Sequence, residues 1–267
     1  MAVDLKRRHF ADEVIGVEAD GVNASAALKI GLADRLVSFE ECIAEADVIV
    51  LAVPVGVAVR LLPQALDAVQ GTGRFVIDVC SVKEQMTRAA HCHPARRHYV
   101  AMHPMAGTEY SGPWAAMSGL FDGRACIICD SEESDPRFVR TAEKINETLN
   151  LRTIYMGSAA HDVHTAYVSH ISHVTSFALA LTVLDKEKDD KHIFDLASGG
   201  FSSTVRLAKS SADMWVPILS QNHDNVLRVI DTYIEKMKDF RDAIDNYDEE
   251  KVRSLIEDAN KIKRIIR

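Results

Sequence analysis

Residues 48–53 read Val-Ile-Val-Leu-Ala-Val, six apolar side chains in succession with no polar residue between them. An apolar run without alternation is typical of a strand buried on both faces of a sheet, so we expect a central strand here. The predicted strands are Val14–Val17, Val48–Val53, Phe75–Val79, Tyr99–Met102, Ala125–Cys129 and Thr153–Met156. Helical stretches separate them. This alternation predicts an α/β domain over residues 1–157, built on a parallel sheet covered by helices.

From residue 158 the strand pattern stops and helical periodicity continues, which predicts an all-helical second domain over residues 158–267. Its longest predicted helix carries apolar or aromatic side chains at a spacing of three and four over about 25 residues. These side chains are Leu219, Val226, Ile230, Tyr233, Met237, Phe240 and Ile244. Such a seam has more apolar surface than one small helical domain covers, so we expect a homodimer formed through this domain.

The chain of 267 residues has 39 acidic and 31 basic side chains, which gives a net charge of −8. This balance, without a long basic run, argues against nucleic acid or an anionic membrane as a partner and favours a small-molecule substrate. The first residues lack the apolar core of a signal peptide, and no run reaches the roughly 18 apolar residues of a membrane span. The five cysteines form no disulfide-scaffold pattern. We therefore expect a cytoplasmic protein with free thiols.

The N-terminal region has the pattern of the later part of a dinucleotide-binding unit. Such a unit runs strand, glycine-rich turn, helix, second strand, and then an acidic residue that binds the ribose hydroxyls. Ala2–Phe10 has the pattern of the helix, Val14–Val17 that of the second strand, and Glu18 stands at the carboxylate position, but no G-x-G-x-x-G precedes them. We therefore expect the first strand and its glycine loop to be missing, and Met1 to be an internal methionine of a longer natural chain. The alternative is that Glu18 is a solvated residue at a strand end.

Two polar segments follow predicted buried strands, where sheets of this class place their sites. The first is Asp78-Val79-Cys80-Ser81-Val82-Lys83, in which Ser81 either caps the next helix or faces the site, two roles that are compatible. The second is His103-Pro104-Met105-Ala106-Gly107-Thr108-Glu109, whose proline and glycine predict an irregular turn that aims the imidazole outward. Its position at a strand end, with Thr and Glu following, favours a catalytic His103 over an incidental one.

The predicted helix Ser158–Leu184 carries histidines on two faces. At about 100° per residue, His170 and His173 lie on the apolar face, whereas His161 and His164 lie opposite. Buried imidazoles need a hydrogen-bond partner or a ligand, so the pair indicates a pocket. A zinc site is the alternative, but no carboxylate or cysteine on the same face completes it, and we expect no metal.

Four motifs in this order resemble those of prephenate dehydrogenases, and the resemblance spans nearly the whole chain. They are Asp78-x-x-Ser81-x-Lys83, His103-Pro104-x-Ala106-Gly107-Thr108-Glu109, Ser169-His170-x-x-His173, and Gly199-Gly200-Phe201 through Arg206. The resemblance implies a Rossmann-like domain followed by an all-α dimerisation domain. It also implies oxidative decarboxylation of prephenate to 4-hydroxyphenylpyruvate, in tyrosine biosynthesis, with hydride transfer to NAD.

The resemblance further implies roles for individual residues. His103 would accept or polarise the proton of the ring hydroxyl, Ser81 would orient the hydroxyl and the nicotinamide, and Arg206 would bind a substrate carboxylate. The pocket would be shaped by Thr108, Glu109, His170, His173 and Trp215. The cofactor would lie against Glu18, Val53, Pro54, Ser81 and Lys83. A carboxylate at Glu18 favours NAD over NADP, because it repels a 2′-phosphate.

Two other functions stay open at this point. An arogenate dehydrogenase acts on a substrate with an amino group in place of the side-chain keto oxygen, and one sequence does not distinguish the two. A catalytically silent subunit, which dimerises without binding NAD, is the alternative of another class, because the glycine loop is absent. Ser203 is a second departure, since family members can carry an acidic residue three positions before the arginine; it leaves the orientation of Arg206 open.

Overall fold

The computed structural model describes residues 1–188 and 192–265 of the chain. Within these ranges the strands are Ile15–Gly16 (β1), Arg35–Leu36 (β2), Val48–Leu51 (β3), Phe75–Asp78 (β4), Tyr99–Pro104 (β5), Ala125–Cys129 (β6) and Arg152–Met156 (β7). The helices are Ala2–Arg7 (α1), Gly21–Lys29 (α2), Phe39–Glu45 (α3), Val55–Val69 (α4), Glu84–Ala90 (α5), Pro136–Thr148 (α6), Ser158–Thr165 (α7), Ile171–Glu187 (α8), Gly199–Thr204 (α9), Ala212–Gln221 (α10), His223–Asp245 (α11) and Glu249–Asn260 (α12). Every predicted strand is confirmed with small shifts at its ends, and only the two-residue β2 was not predicted.

Five strands form one sheet in the order β3-β4-β5-β6-β7, and β1 pairs with β2 in a separate parallel sheet. β3, β4 and β5 are parallel, β6 runs antiparallel to β5, and β7 is parallel to β6. The prediction of a parallel sheet is therefore confirmed except at the β5–β6 pair. Residues 105–124, which join these strands, contain a 3₁₀ turn at Pro113–Ala115 but no crossover helix. Parallel neighbours require such a crossover, so the chain returns antiparallel.

The run that begins at Val48 forms an edge strand, so the prediction that it is central is wrong. Among the described strands β3 has β4 as its one sheet neighbour, and Val50 is 39% exposed. The cause is that β1 pairs with β2 instead of extending the larger sheet past β3. The fully buried strands are β4 and β5. Uninterrupted apolarity thus identified a strand of this sheet but not its place in the strand order.

Helices cover both faces of the five-stranded sheet, because alternate residues of each strand point to opposite faces. On one face α4 and α5 contribute Leu62, Leu66 and Met86, all fully buried. On the other face α6 contributes Phe138 and Ile145. Burial of a side chain of this size stabilises the fold by about 1.5–3 kcal/mol. These contacts fix the strand ends that carry the candidate site.

Contacts divide the chain into two compact units, Met1–Asn222 and His223–Arg267. The first unit reaches beyond the sheet region because Trp215 and Ile218 of α10 join the same hydrophobic cluster as Leu62. α10 ends at Gln221 and α11 begins at His223, so Leu219 belongs to a different helix from the rest of the predicted seam. The prediction of one helix from Leu219 onward is therefore wrong.

In its described residues the second unit contains α11, α12 and a 3₁₀ turn at Lys261–Arg264, and α11 and α12 border an apolar groove of about 550 Å³. The apolar side chains that line this groove are Ala243, Ile244, Tyr247, Val252 and Ile256. Further along α11, Tyr233 and Met237 are 42% and 53% exposed. The predicted apolar seam of this helix is thus present, and much of it faces solvent within the unit.

Ser158–Glu187 forms one helical stretch in which a π-helical turn, Ala166–His170, lies between α7 and α8. Among the described residues this is the one stretch long and apolar enough by composition to cross a membrane. That criterion is also met by helices of water-soluble proteins, and this stretch contains the buried polar residues His161, Asp162 and His170. Its composition is thus a weak indication of a membrane span.

Candidate functional site

The carboxyl ends of β4 and β5 are neighbours in the sheet; Ser81 lies in the segment that follows β4, and His103 lies near the carboxyl end of β5. His103 itself lies within β5, opposite Ile127 of β6, and is 8% exposed. The prediction that a turn aims this imidazole outward is therefore wrong. Pairing with β6 extends β5 to Pro104, and this extension draws the histidine into the interior.

The segment after β4 is held by a carboxylate from another helix. The backbone N–H groups of Lys83 and Glu84 donate to Oδ1 and Oδ2 of Asp162 at 2.8 and 2.9 Å. Asp162 therefore caps the N-terminus of α5, and the interpretation of Ser81 as the cap of this helix is wrong. Ser81 is partly exposed at the strand end, where it remains a candidate for contact with a ligand.

Lys83 lies behind the strand ends and is fully buried. Its Nζ donates to the Asp78 carboxylate and, at 2.6 Å, to the backbone oxygen of Met102. Tyr99 donates its hydroxyl to the other oxygen of Asp78 at 2.5 Å. Burial lowers the pKa of Lys83, but Asp78, together with the nearby Cys80 and Cys129, raises it, and the net pKa is raised. Because Lys83 is fully buried, its ammonium group is a charged support beneath the site and is not part of an exposed surface that a cofactor contacts.

His103 contacts a second histidine that the helical periodicity assigned to the opposite face. His103 Nδ1 and His161 Nε2 are 2.8 Å apart, and His161 Nδ1 lies 2.7 Å from Asp162 Oδ1. His161 is 1% exposed. The three side chains therefore form a continuous buried chain of hydrogen bonds that ends on a carboxylate.

The π-helical turn explains why periodicity misplaced His161. A π turn holds one residue more than an α turn, so it rotates the following residues by about 100° relative to an uninterrupted helix. An uninterrupted helix would place His161 and His170 about 180° apart, and the π turn reduces this angle to about 80°, which brings His161 of α7 toward the His170 side. The sequence carries no signal for the π turn. The adjacent His161-Asp162 pair was a usable signal, because a carboxylate beside a histidine often fixes its tautomer.

His170 and His173 lie together as predicted, and both rings contact the ring of Trp215. The His173 ring stacks on the Trp215 ring with centroids 3.5 Å apart, and His170 meets the same ring edge-on at 5.9 Å. Asn222 Nδ2 donates to the backbone oxygen of Asp162 at 2.7 Å and lies 3.1 Å from His170 Nδ1. Because the first bond fixes the amide orientation, His170 Nδ1 accepts from Asn222 and the ring proton is at Nε2.

Burial keeps these imidazoles neutral. Burial lowers the pKa of His103 well below its usual 6.5, and nearby His161, Lys83 and His170 lower it further. Burial also lowers the pKa of His161, although Asp162 partly offsets this effect. For His170 burial lowers the pKa to about 4. At neutral pH each ring therefore has one nitrogen that donates and one that accepts.

Arg206 and Glu109 form an exposed ion pair. Arg206 Nη1 donates to Glu109 Oε2 at 3.0 Å, with the two side chains 52% and 16% exposed. Thr108 precedes Glu109, and its Oγ1 accepts from Tyr110 N at 3.3 Å. The Arg206 charge also contributes to the lowered pKa of His173, after burial. The structure thus brings Arg206, Glu109 and the His173–Trp215 stack into one neighbourhood.

The residues expected to hold the cofactor follow the carboxyl ends of strands. Glu18 follows β1 and is exposed, with Oε1 accepting from Asp20 N at 3.0 Å. Val53 and Pro54 are exposed between β3 and α4. An exposed carboxylate and an apolar surface at a helix N-terminus fit the ribose and nicotinamide of a dinucleotide. In the described part of the chain no group of three or more side chains is arranged to hold a metal ion.

Both halves of the chain match models of the same protein family. Residues 1–155 match the family model of the prephenate dehydrogenase nucleotide-binding domain, and residues 157–258 match that of the prephenate dehydrogenase dimerization domain. The chain is 29% identical to prephenate dehydrogenase of Bacillus subtilis, over 94% of this chain and 68% of that protein. It is 27% identical to cyclohexadienyl dehydrogenase of Zymomonas mobilis, over 83% of this chain and 76% of that protein.

A solved structure shares the fold over the same length. The crystal structure of Aquifex aeolicus prephenate dehydrogenase, in complex with hydroxyphenyl propionate and NAD⁺, superposes with a TM-score of 0.85. The two chains are 25% identical, and the match covers 99% of this chain and 93% of that one. The similarity therefore includes the sheet region, the π-interrupted helix and the C-terminal helices.

Proposed function

The chain belongs to the prephenate dehydrogenase family of NAD-dependent oxidoreductases, and we propose that the pocket around His103 oxidises and decarboxylates prephenate to 4-hydroxyphenylpyruvate. One observation carries the proposal for this site. A neutral imidazole stands at the end of β5, with Nδ1 engaged by His161 and with no other partner for its ring nitrogens among the described residues. Its Nε2 is therefore available to a substrate hydroxyl.

The chemistry needs few groups beyond this base. His103 Nε2 accepts the proton of the ring hydroxyl while the hydrogen on the same carbon leaves as hydride. NAD, when bound, accepts that hydride. Loss of carbon dioxide makes the ring aromatic, which drives the reaction strongly downhill. The protein has mainly to position the reacting groups and to accept one proton, and the proposed role of Ser81, partly exposed after β4, is to orient the hydroxyl.

Charge recognition falls to the exposed part of the site. Prephenate carries two carboxylates, whereas the chain has a net charge of −8 and needs a local cation to bind them. Arg206 supplies that cation and binds one carboxylate with its planar fork. Thr108, Glu109, His170, His173 and Trp215 form the surrounding walls. Trp215 is 7% exposed and its ring stacks on His173, which makes a flat apolar wall suited to a six-membered ring.

Glu18, Val53, Pro54 and Ser81 are proposed to contact the cofactor, with the Glu18 carboxylate binding the ribose hydroxyls and favouring NAD over NADP. Lys83 is proposed to act from beneath, by holding Asp78 and the end of β5 in place. The division of the chain at 157/158 into a nucleotide-binding and a helical region is supported by the two family matches, which meet at residues 155 and 157.

A homodimer is proposed on two grounds. The region 157–258 matches a dimerization domain, and α11 and α12 carry exposed apolar residues such as Met237, Ile244 and Ile256. Light scattering at micromolar protein should give twice the mass of 29.5 kDa. A cytoplasmic location is proposed because all five cysteines are free, as in a reducing compartment.

The test is reduction of NAD, followed by absorbance, with prephenate and then with arogenate. His103→Asn should lower kcat by about 10²–10⁴-fold with little change in KM, because it removes a general base. The matched control is His164→Asn, since His164 is an exposed histidine of α7. Faster turnover of arogenate would identify the chain as an arogenate dehydrogenase. Absence of turnover with both substrates by a folded protein would support a silent subunit.

A further inference from the structure

His161 and Asp162 stand directly behind the proposed base, yet neither belongs to the motifs that led to this site. Both are buried, at 1% and 0% exposure. We infer that they are positioning residues that hold His103 in the tautomer with its proton on Nδ1, so that Nε2 presents a lone pair to the substrate hydroxyl. This inference rests on the proposed function, because it concerns the same base.

The direction of the hydrogen bonds begins at Asp162. Its Oδ1 and Oδ2 accept from the backbone N–H groups of Lys83 and Glu84, at 2.8 and 2.9 Å. An ionised carboxylate has no proton to give, and both of its oxygens are already held as acceptors by main-chain groups that can only donate. The ring nitrogen at 2.7 Å from Oδ1 must therefore be the donor, which places the proton of His161 on Nδ1.

The hydrogen bond between the two histidines then determines the position of the proton on His103. A neutral His161 with its proton on Nδ1 has an unprotonated Nε2, which can only accept. The atom 2.8 Å away is His103 Nδ1, so that nitrogen must carry the proton. The remaining nitrogen of His103, Nε2, is then unprotonated. A buried carboxylate on α7 thus determines, through two rings, which nitrogen of the strand residue can act as a base.

His161 and Asp162 also stabilise His103 after it has accepted the proton. When His103 accepts the hydroxyl proton on Nε2, both of its nitrogens carry protons and the ring is a cation in a buried place. His161 Nε2 then accepts a stronger bond from Nδ1, and the negative Asp162 lies one ring further away. Lys83 is the nearby cation that opposes this charge, and the Asp78 carboxylate is bound to that ammonium. Asp162 is therefore the carboxylate that faces the new charge through His161.

The experiment compares His161→Leu, which keeps the bulk but removes the acceptor, with His161→Gln, whose amide oxygen can take the place of Nε2. We expect His161→Leu to lower kcat by about 10²–10³-fold with KM for substrate and NAD within a few-fold, as for a base held in the wrong tautomer. His161→Gln should recover at least about tenfold of that loss, since it offers His103 Nδ1 an acceptor again. His164→Leu on the same helix should be unchanged in turnover.

A second readout does not depend on turnover. In protein labelled with isotopic nitrogen at histidine, long-range proton–nitrogen spectra at neutral pH report which ring nitrogen of His103 is protonated. We expect the proton on Nδ1 in the wild type and in His161→Gln, and predominantly on Nε2 in His161→Leu. A structural role for His161 would lower thermal stability without changing this tautomer.

The outcomes separate the two proposals. If the wild type turns over substrate while His161→Leu retains full kcat, or if His103 carries its proton on Nε2 in the wild type, the positioning inference is overturned and the proposed function stands. If the wild type turns over neither substrate, the proposed function fails, and the spectra still decide the tautomer. If His161→Leu does not fold, the tautomer of His103 in the wild type and in His161→Gln still tests the positioning inference.

Discussion

Two parts of the candidate site differ in almost every physical respect. The inner wall, consisting of His103, His161, Asp162 and His170, is buried, and its imidazoles are held neutral. The rim, consisting of Glu109 and Arg206, is an exposed ion pair. Inside, hydrogen bonds to fixed main-chain groups determine which atoms donate and which accept. Outside, water screens the ion pair, so it contributes little to stability and Arg206 can exchange Glu109 for a substrate carboxylate.

The comparison predicts its largest effect at Asp162. Asp162→Asn keeps the shape but turns one oxygen into an NH₂ group that faces a backbone N–H or the His161 proton. We expect a loss of about 3 kcal/mol in the free energy of unfolding, because buried donors lose a charged acceptor. Urea denaturation measures this.

The matched control for that change is Asp185→Asn, since Asp185 is exposed and pairs only with Lys188 in the described residues. It should shift the free energy of unfolding by at most about 0.5 kcal/mol. Equal losses for the two variants would remove the distinction between a buried carboxylate that caps α5 and a solvated one.

The neutral inner wall predicts a loss of stability in acid. Burial lowers the pKa of His170 to about 4, from 6.5 in the unfolded chain, with Asp162 raising it and His161 and His173 lowering it. The unfolded chain therefore binds a proton at His170 more strongly than the folded chain does. Above pH 6.5 this difference leaves the free energy of unfolding unchanged, and as pH falls from there toward 4 the free energy of unfolding decreases. Between neutral pH and about pH 5 we expect His170 alone to cost about 2 kcal/mol.

Urea denaturation at several pH values checks this, with His170→Gln as the variant that removes the titrating group. The decline in acid should be shallower in His170→Gln than in the wild type, while His164→Gln, at an exposed position, should follow the wild-type curve. An unchanged slope in His170→Gln would mean that this ring is not held neutral by burial.

At the rim the expected effects are smaller and concern binding. Arg206→Gln should raise KM for prephenate about tenfold and leave kcat nearly unchanged, because it removes a charged contact to the substrate. KM of the wild type should also rise with salt, and that of Arg206→Gln should rise less. Steady-state kinetics at low and high salt measure both. A fall in kcat with unchanged KM would place Arg206 with the inner wall.

The smallest effect is expected at Glu109. This carboxylate competes with the substrate for Arg206 and adds negative charge beside an anionic ligand. Glu109→Gln should therefore lower KM for prephenate by about two- to threefold, as expected for a screened surface pair. In the Arg206→Gln background the same change should have a smaller effect on KM, because only the repulsion between Glu109 and the substrate remains. A raised KM would show instead that Glu109 is needed to orient the guanidinium.

The sequence determined the elements that depend on local pattern. Apolar runs located the strands, and helical periodicity located the C-terminal helices. Both signals depend on the spacing of apolar residues along the chain, which can be observed in the sequence alone. His103 was identified from its place after an apolar run, and the pairing of His170 with His173 from their spacing on one helix face. The family resemblance then supplied functions that periodicity alone does not contain.

Tertiary structure decided what depends on distant residues. The edge position of β3, the antiparallel β6 and the burial of His103 follow from strand pairing, which a single apolar run does not encode. Lys83 faces inward because Asp78 and the end of β5 hold its ammonium. His161 joined the site through one extra residue in the π turn. The tautomers of His103 and His170 are determined by His161 and Asn222, which are distant in sequence, so they could not be predicted from the sequence around each histidine. His161 is the exception, because its partner Asp162 is the next residue in the chain.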